Sequence, residues 1–293
     1  KEKITSYINP SCGLFLETSD SDTETRMKPF LTQLIHRLAK TFQKLLNKLP
    51  SHPISHLPAS KVKIRPIIMI PGSSATENRF NRMVKKLNRN QHPHHSLVRI
   101  KIWNDGHMTY RGHLKRKDRN PIFVVGFQNN RDGYENIKQQ AAMFDDALTV
   151  LREKYSFNSF KALGHSNGGL VYTVFLQQYL ANHSGLEMEK LLTIGSPYNL
   201  NKKNLNHRVA MLDDFVSNQG KLPKKLQHLS ILGIFFRDGD GIVHKSSVEA
   251  GSLIYKGKIA SHREIVIVGK DAHHSSLPQN EQVVDLIREF LFI

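Results

Sequence analysis

From residue 61 onward the chain alternates short apolar runs with longer stretches whose apolar residues recur every three or four positions. The segments "KVKIRPIIMIPG", "SLVRIKIW", "NPIFVVGFQ", "FKALG", "KLLTIGSP", "LSILGIFF" and "REIVIVG" read as strands. Between and after them, "NRFNRMVKKLN", residues 134 to 155, residues 167 to 182 and the closing "EQVVDLIREFLFI" read as helices. Strands that are apolar on both sides have no solvent face, so each must be covered twice, and the intervening helices supply that cover. The pattern predicts an α/β architecture, a mainly parallel sheet with helices on both faces. No internal repeat interrupts it.

The region before residue 61 differs. Residues 1 to 27 are polar and include the acidic patch "SDSDTETR". In "KPFLTQLIHRLAKTFQKLLNKLP", Phe30, Leu31, Leu34, Ile35, Leu38, Phe42, Leu45, Leu46 and Leu49 share one helical face and basic residues hold the other. This is an amphipathic basic helix, suited to an anionic membrane surface, to covering a pocket, or to packing on the main domain. The proline-bearing "SHPISHLPAS" reads as a linker. The expected organisation is an N-terminal extension over 1–60 and a catalytic domain over 61–293.

Composition narrows the setting. Among 293 residues, 42 Lys and Arg outweigh 25 Asp and Glu, for a net charge of +17. Such a surface suits anionic company, such as lipid headgroups or wall polymers, and equally serves solubility. A single cysteine, Cys12, excludes an intramolecular disulfide. No apolar run reaches the roughly 18 residues that a membrane-spanning helix needs. The first residue is Lys1 rather than methionine, so the sequence leaves room for a removed signal or anchor. The histidine-rich "QHPHHS" (His92, His94, His95) has the polar context of a solvated loop rather than a metal site.

The stretch that carries chemistry is Gly164-His165-Ser166-Asn167-Gly168, a G-x-S-x-G with a strand before it and a helix after. A serine on so sharp a turn needs small neighbours two residues either side, and Gly164 and Gly168 provide them. The turn lifts the hydroxyl to a helix N-terminus and aims the Asn167 amide at a developing oxyanion. A serine nucleophile needs a base, and the base an orienting acid, in the chain order serine, acid, histidine. "FFRDGDGIVHKSS" offers Asp238 and Asp240, with Asp240 favoured because a glycine and two apolar residues follow it. The D-G-D-G run is not a calcium loop, since Ile242 stands where an EF-hand requires an oxygen donor. "VIVGKDAHHSSLPQN" offers His273 and His274, the second favoured because it stands directly before the turn into the last helix. At the end of the first strand, Pro71-Gly72-Ser73-Ser74 can aim a second amide, that of Ser73, at the same oxyanion.

These motifs resemble the α/β-hydrolase superfamily, and within it a bacterial family of cell-surface hydrolases of unknown function. The resemblance covers about residues 61 to 293 and rests on "IPGSSATENRF", "GHSNGG", "GSPYN", "DGDGIV" and "HSSL". It implies the α/β-hydrolase fold, Ser166 as nucleophile, Asp240 as acid, His274 as base, and Ser73 and Asn167 as oxyanion donors. It also implies a membrane- or cell-surface-associated setting. Pro71-Gly72 departs from the His-Gly common in the superfamily, and Ser196 of "GSPYN" is the next candidate nucleophile.

The expectation is a serine hydrolase cleaving short-chain or lipid-like carboxylic esters through an acyl-enzyme, without metal or organic cofactor. An acyltransferase or thioesterase would use the same residues. From a different class stands a non-catalytic protein on the same fold that binds a polyanion or membrane. Nucleic acid is not an expected partner, because no recognised motif and little aromatic-basic interleaving are present.

Overall fold

A computed structural model describes residues 63–89 and 94–293. The expected N-terminal extension and amphipathic helix, and His92, fall outside the described residues. One eight-stranded sheet organises the rest, in the order β3-β2-β4-β1-β5-β6-β7-β8. Its strands are β1 (Ile67–Ile70), β2 (Leu97–Ile102), β3 (Met108–Arg111), β4 (Ile122–Phe127), β5 (Ser159–His165), β6 (Glu187–Ile194), β7 (Gln227–Ile234) and β8 (Ser261–Val268). Every pairing is parallel except that of β3 with β2.

Helices cover both faces, as continuous apolar strands require. They are α1 (Asn81–Leu87), α2 (Tyr134–Tyr155), α3 (Asn167–Gln178), α4 (Ala210–Ser217), α5 (Lys245–Glu249), α6 (Ser252–Tyr255) and α7 (Glu281–Leu291). Alternate strand residues divide the core. Ile68, Ile70, Phe123, Val125 and Ala162 pack with Phe144 and Leu148 of α2 and with Tyr172 and Phe175 of α3. Ile67, Met69, Val124 and Leu163 face the other way, onto Met83 and Val84 of α1 and Val284 and Ile287 of α7.

The chain leaves β1 toward one edge of the sheet and, from β5 on, builds toward the other. The direction reverses between β1 and its neighbours, and the C-terminal strand ends at such a switch point are where open α/β sheets hold their ligands. Ser73 follows β1 and Ser166 follows β5 at that place.

Some elements differ from the sequence expectation. β3 was not anticipated, since four half-exposed residues joined to β2 through Asn104-Asp105-Gly106 carry little apolar signal. The helix expected over 167–182 ends at Gln178 and gives way to a 3₁₀ turn at Leu180–Asn182. Helices α4, α5 and α6, of four to eight residues, are too short to establish a period.

Candidate active site

Ser166 sits between β5 and α3 with φ 54° and ψ −127°, a conformation a non-glycine residue adopts only under strain. Such geometry costs on the order of 1–3 kcal/mol and persists only where its surroundings enforce it. Here the Ser166 amide donates to Ile194 O of β6 at 2.8 Å, and the serine carbonyl accepts from Gly169 N at 3.1 Å. The flanking glycines are sterically required. A Cβ at Gly168 would stand 2.1 Å from Ile70 O, and one at Gly164 would stand 2.5 Å from Gly169 N. The elbow is thus wedged between the ends of β1 and β6.

Asp240 and His274 meet at the ends of β7 and β8. Asp240 is 1% exposed and His274 6%. His274 Nδ1 donates to Asp240 Oδ2 at 2.6 Å. The other carboxylate oxygen, Oδ1, accepts from the amides of Ile242 at 3.0 Å and Val243 at 2.7 Å. The His274 amide also donates to Asp240 O at 2.8 Å. This arrangement selects the tautomer with hydrogen on Nδ1 and leaves Nε2 able to accept a proton. The pair lies over the end of β6, because a Cβ at Gly195 would come within 2.9 Å of Asp240 Oδ2 and 3.1 Å of His274 Nδ1. β6 is the strand beside β5 and its Ser166.

The alternates fall elsewhere. Asp238 is exposed, and its carbonyl accepts from Lys245 N. His273 stands edge-on to Phe235 at 5.2 Å and takes the Ser275 amide on Nδ1. Ser196 is fully buried, its Oγ without a protein partner among the described residues.

Ser73 lies in the turn after β1, whose Gly72 packs so closely on the elbow that a Cβ there would be 2.6 Å from Ser166 Cβ. Asn167 opens α3. Neither the Ser73 nor the Asn167 amide donates to a backbone acceptor among the described residues, whereas Ser74 N is bound to Asn130 O. Two unengaged amides flanking the serine, one of them at a helix N-terminus, form a ready place for negative charge.

Three participants escaped the sequence reading. His165, the variable residue before the serine, is 4% exposed, and its Nε2 donates to His274 O at 3.1 Å. Burial first, then the nearby His274 and Arg79, push its pKa well below the ordinary 6.5, so it is neutral. Arg79 donates from Nη2 to Ser275 O at 2.8 Å and from Nη1 to Gln279 at 3.3 Å. The two carbonyls that follow the His274 Cα, those of His274 and Ser275, are therefore both held. Asp132 accepts from Asn167 Nδ2 at 2.8 Å and steadies the start of α3. No local pattern could reveal Arg79, whose partner Ser275 lies 196 residues away. Among the described residues no group of three or more His, Cys, Asp or Glu side chains could hold a metal ion. His95, from the histidine-rich loop, instead faces Asp118 at 3.6 Å.

Known proteins give the same fold. A family described as an alpha/beta hydrolase of unknown function (DUF915) matches residues 55–293. A solved structure from Lactobacillus plantarum WCFS1, provisionally named a cell surface hydrolase, is 38% identical with a TM-score of 0.72. That alignment covers 79% of this chain and 92% of the other. The lin2722 gene product of Listeria innocua is 26% identical with a TM-score of 0.70, over 78% of this chain and 94% of its own. No curated protein matches the sequence. A switch-point elbow, strand-end acid and histidine in hydrolase order, and a family match across the whole sheet lead to one conclusion: the chain belongs to the DUF915 family of α/β hydrolases.

Proposed function

We propose that the protein is a serine hydrolase that cleaves carboxylic esters of short-chain or lipid-like acyl groups, with residues 61–293 as its catalytic unit. The observation that carries this reading is the buried His274–Asp240 pair, 2.6 Å apart, one strand from a serine held in a strained elbow. Strain of this kind is characteristic of functional sites, and the turn that carries it lifts the serine off the end of β5.

In the reaction Ser166 Oγ attacks the ester carbonyl carbon while its proton passes to His274 Nε2. The carbonyl oxygen becomes an oxyanion facing the Ser73 and Asn167 amides, each such donor being worth roughly 10²–10³ in rate. Collapse breaks the ester bond, and the alcohol leaves with the proton from His274. Water then attacks the acyl-enzyme, giving its proton to His274, and the carboxylic acid is released as Oγ is reprotonated. Asp240 holds the imidazole tautomer and stabilises its charged form. No hydrogen bond joins Ser166 Oγ to His274 among the described residues, and such contacts often tighten only once substrate is bound. An alcohol or amine in place of water would make the same site an acyltransferase, and a thioester in place of an ester would make it a thioesterase.

The test is labelling by a fluorescent fluorophosphonate, with Ser166→Ala beside the native protein. Labelling lost in the variant supports the reading. Equal labelling of both proteins moves the nucleophile elsewhere, and no labelling of either at any pH favours the non-catalytic alternative.

A further inference from the structure

The basic charge is not spread evenly. Between residues 94 and 121 stand seven Lys and Arg, closed by the run "KRKDR", against two acids, Asp105 and Asp118. Asp118 is buried and accepts from the Ser96 and Asn120 amides, and Asp105 is taken by His107 at 2.6 Å. Strand pairing then concentrates the cations. Arg99 of β2 lies directly opposite Arg111 of β3, and Lys101 opposite Thr109, on one face of the sheet edge. Arg99 Nε reaches Asn81 Oδ1 at 2.8 Å, which sets this face beside α1 with its exposed Arg82 and Lys85. None of Arg82, Lys85, Arg99, Lys101 or Arg111 has an ion-pair partner among the described residues. Like charges directly across two strands are destabilising, so this pairing weakens the fold unless an anion covers it.

We propose that this face, formed by β2, β3 and α1, docks on a bilayer of anionic phospholipid. Its breadth suits a plane of headgroup phosphates, and lysine and arginine at such a surface each strengthen binding roughly fivefold. The aromatic residues separate this from a nucleic-acid groove. Trp103, two residues beyond Lys101 on the same face, carries Lys101 Nζ 4.0 Å above its ring and a stacked His107. Faces covered in this way are closed to base stacking. A half-exposed indole flanked by cations is the pairing favoured where lipid meets water. No helix among the described residues is long and apolar enough to cross a membrane. Trp103 follows the C-terminal end of β2, on the same sheet edge as Ser166, so docking here brings that edge toward the lipid.

The test is sedimentation of the full chain with vesicles of equal parts phosphatidylcholine and phosphatidylglycerol, set against phosphatidylcholine alone. The variant Arg99→Gln/Lys101→Gln/Arg111→Gln is compared with Lys221→Gln/Lys224→Gln/Lys225→Gln, which removes the same charge from exposed sites elsewhere. The expectation is binding about a hundredfold weaker in the first variant and within about twofold of native in the second, with release by high salt. Circular dichroism melting establishes that both variants fold. Equal losses in the two variants, or none in the first, overturn the proposal. So does a loss of affinity for double-stranded DNA with vesicle binding intact, which would make the face a nucleic-acid site. Binding requires no turnover, and Ser166→Ala should sediment like the native protein, so failure here and failure of the hydrolase reading are separate results.

Discussion

Asp240→Asn isolates what the buried carboxylate does. Its two oxygens are bound differently: Oδ1 accepts from the Ile242 and Val243 amides, whereas Oδ2 faces only His274 Nδ1. An asparagine must keep its oxygen toward the two amides, since turning its NH₂ there would set donor against donors. The NH₂ then points at Nδ1, which can only accept. His274 is driven to the tautomer with hydrogen on Nε2, and on the proposed mechanism that nitrogen can no longer take a proton from Ser166. A wrong-tautomer histidine in a triad lowers kcat on the order of 10⁴, about 5 kcal/mol in the barrier. Stability should change by about 1 kcal/mol or less, because the two amide bonds and the His274 N–H bond to Asp240 O all survive. Turnover of a short-chain p-nitrophenyl ester, measured alongside chemical denaturation, reads both quantities. A variant within tenfold of native activity would refute the argument and reopen the role of Asp238. One that unfolds would show that the carboxylate charge is structural.

Relief of the elbow and acidification give two further expectations. Ser166→Gly should be more stable than Ser166→Ala by about 1 kcal/mol, because glycine accepts φ 54° without a Cβ clash, and thermal melts should show a shift of about 2–4 °C; equal melting points would mean the turn is unstrained. His165 and His228 are buried, and burial first pushes both well below the ordinary 6.5, so they are neutral in the fold and protonate more readily when unfolded. Their contribution is complete above pH 6.5 and is lost as pH falls below it toward the folded values, at up to about 1.4 kcal/mol per pH unit for each group. Denaturation midpoints at pH 7.5 and 5.5 should differ accordingly, and identical values would mean that neither histidine is held neutral.

Much of this protein is local, and the local part is legible. An apolar run is a strand candidate wherever it lies, and a chain of them broken by helices leaves little choice but a doubly covered sheet. The G-x-S-x-G turn is legible as a motif, and one of its two glycines answers a local clash: a Cβ at Gly164 would meet Gly169 N, five residues on, whereas one at Gly168 would meet Ile70 O at the end of β1, a contact only the fold creates. The preference for Asp240 over Asp238 and for His274 over His273 also rests on neighbours in sequence, and the proposed mechanism adopts it. The edge strand β3, the short helices α4, α5 and α6 and the shortened end of α3 did not, because too few residues repeat to make a period.

The sequence by itself determined the layered fold, the G-x-S-x-G motif and the short list of candidate acids and bases, because each is read from residues close in the chain. Only the tertiary structure decided that Arg79 and His165 grip the loop of His274. It alone also set two arginines face to face on the outer strands. Those contacts join residues brought together by strand order and crossover, and neither leaves a mark on the residues beside it.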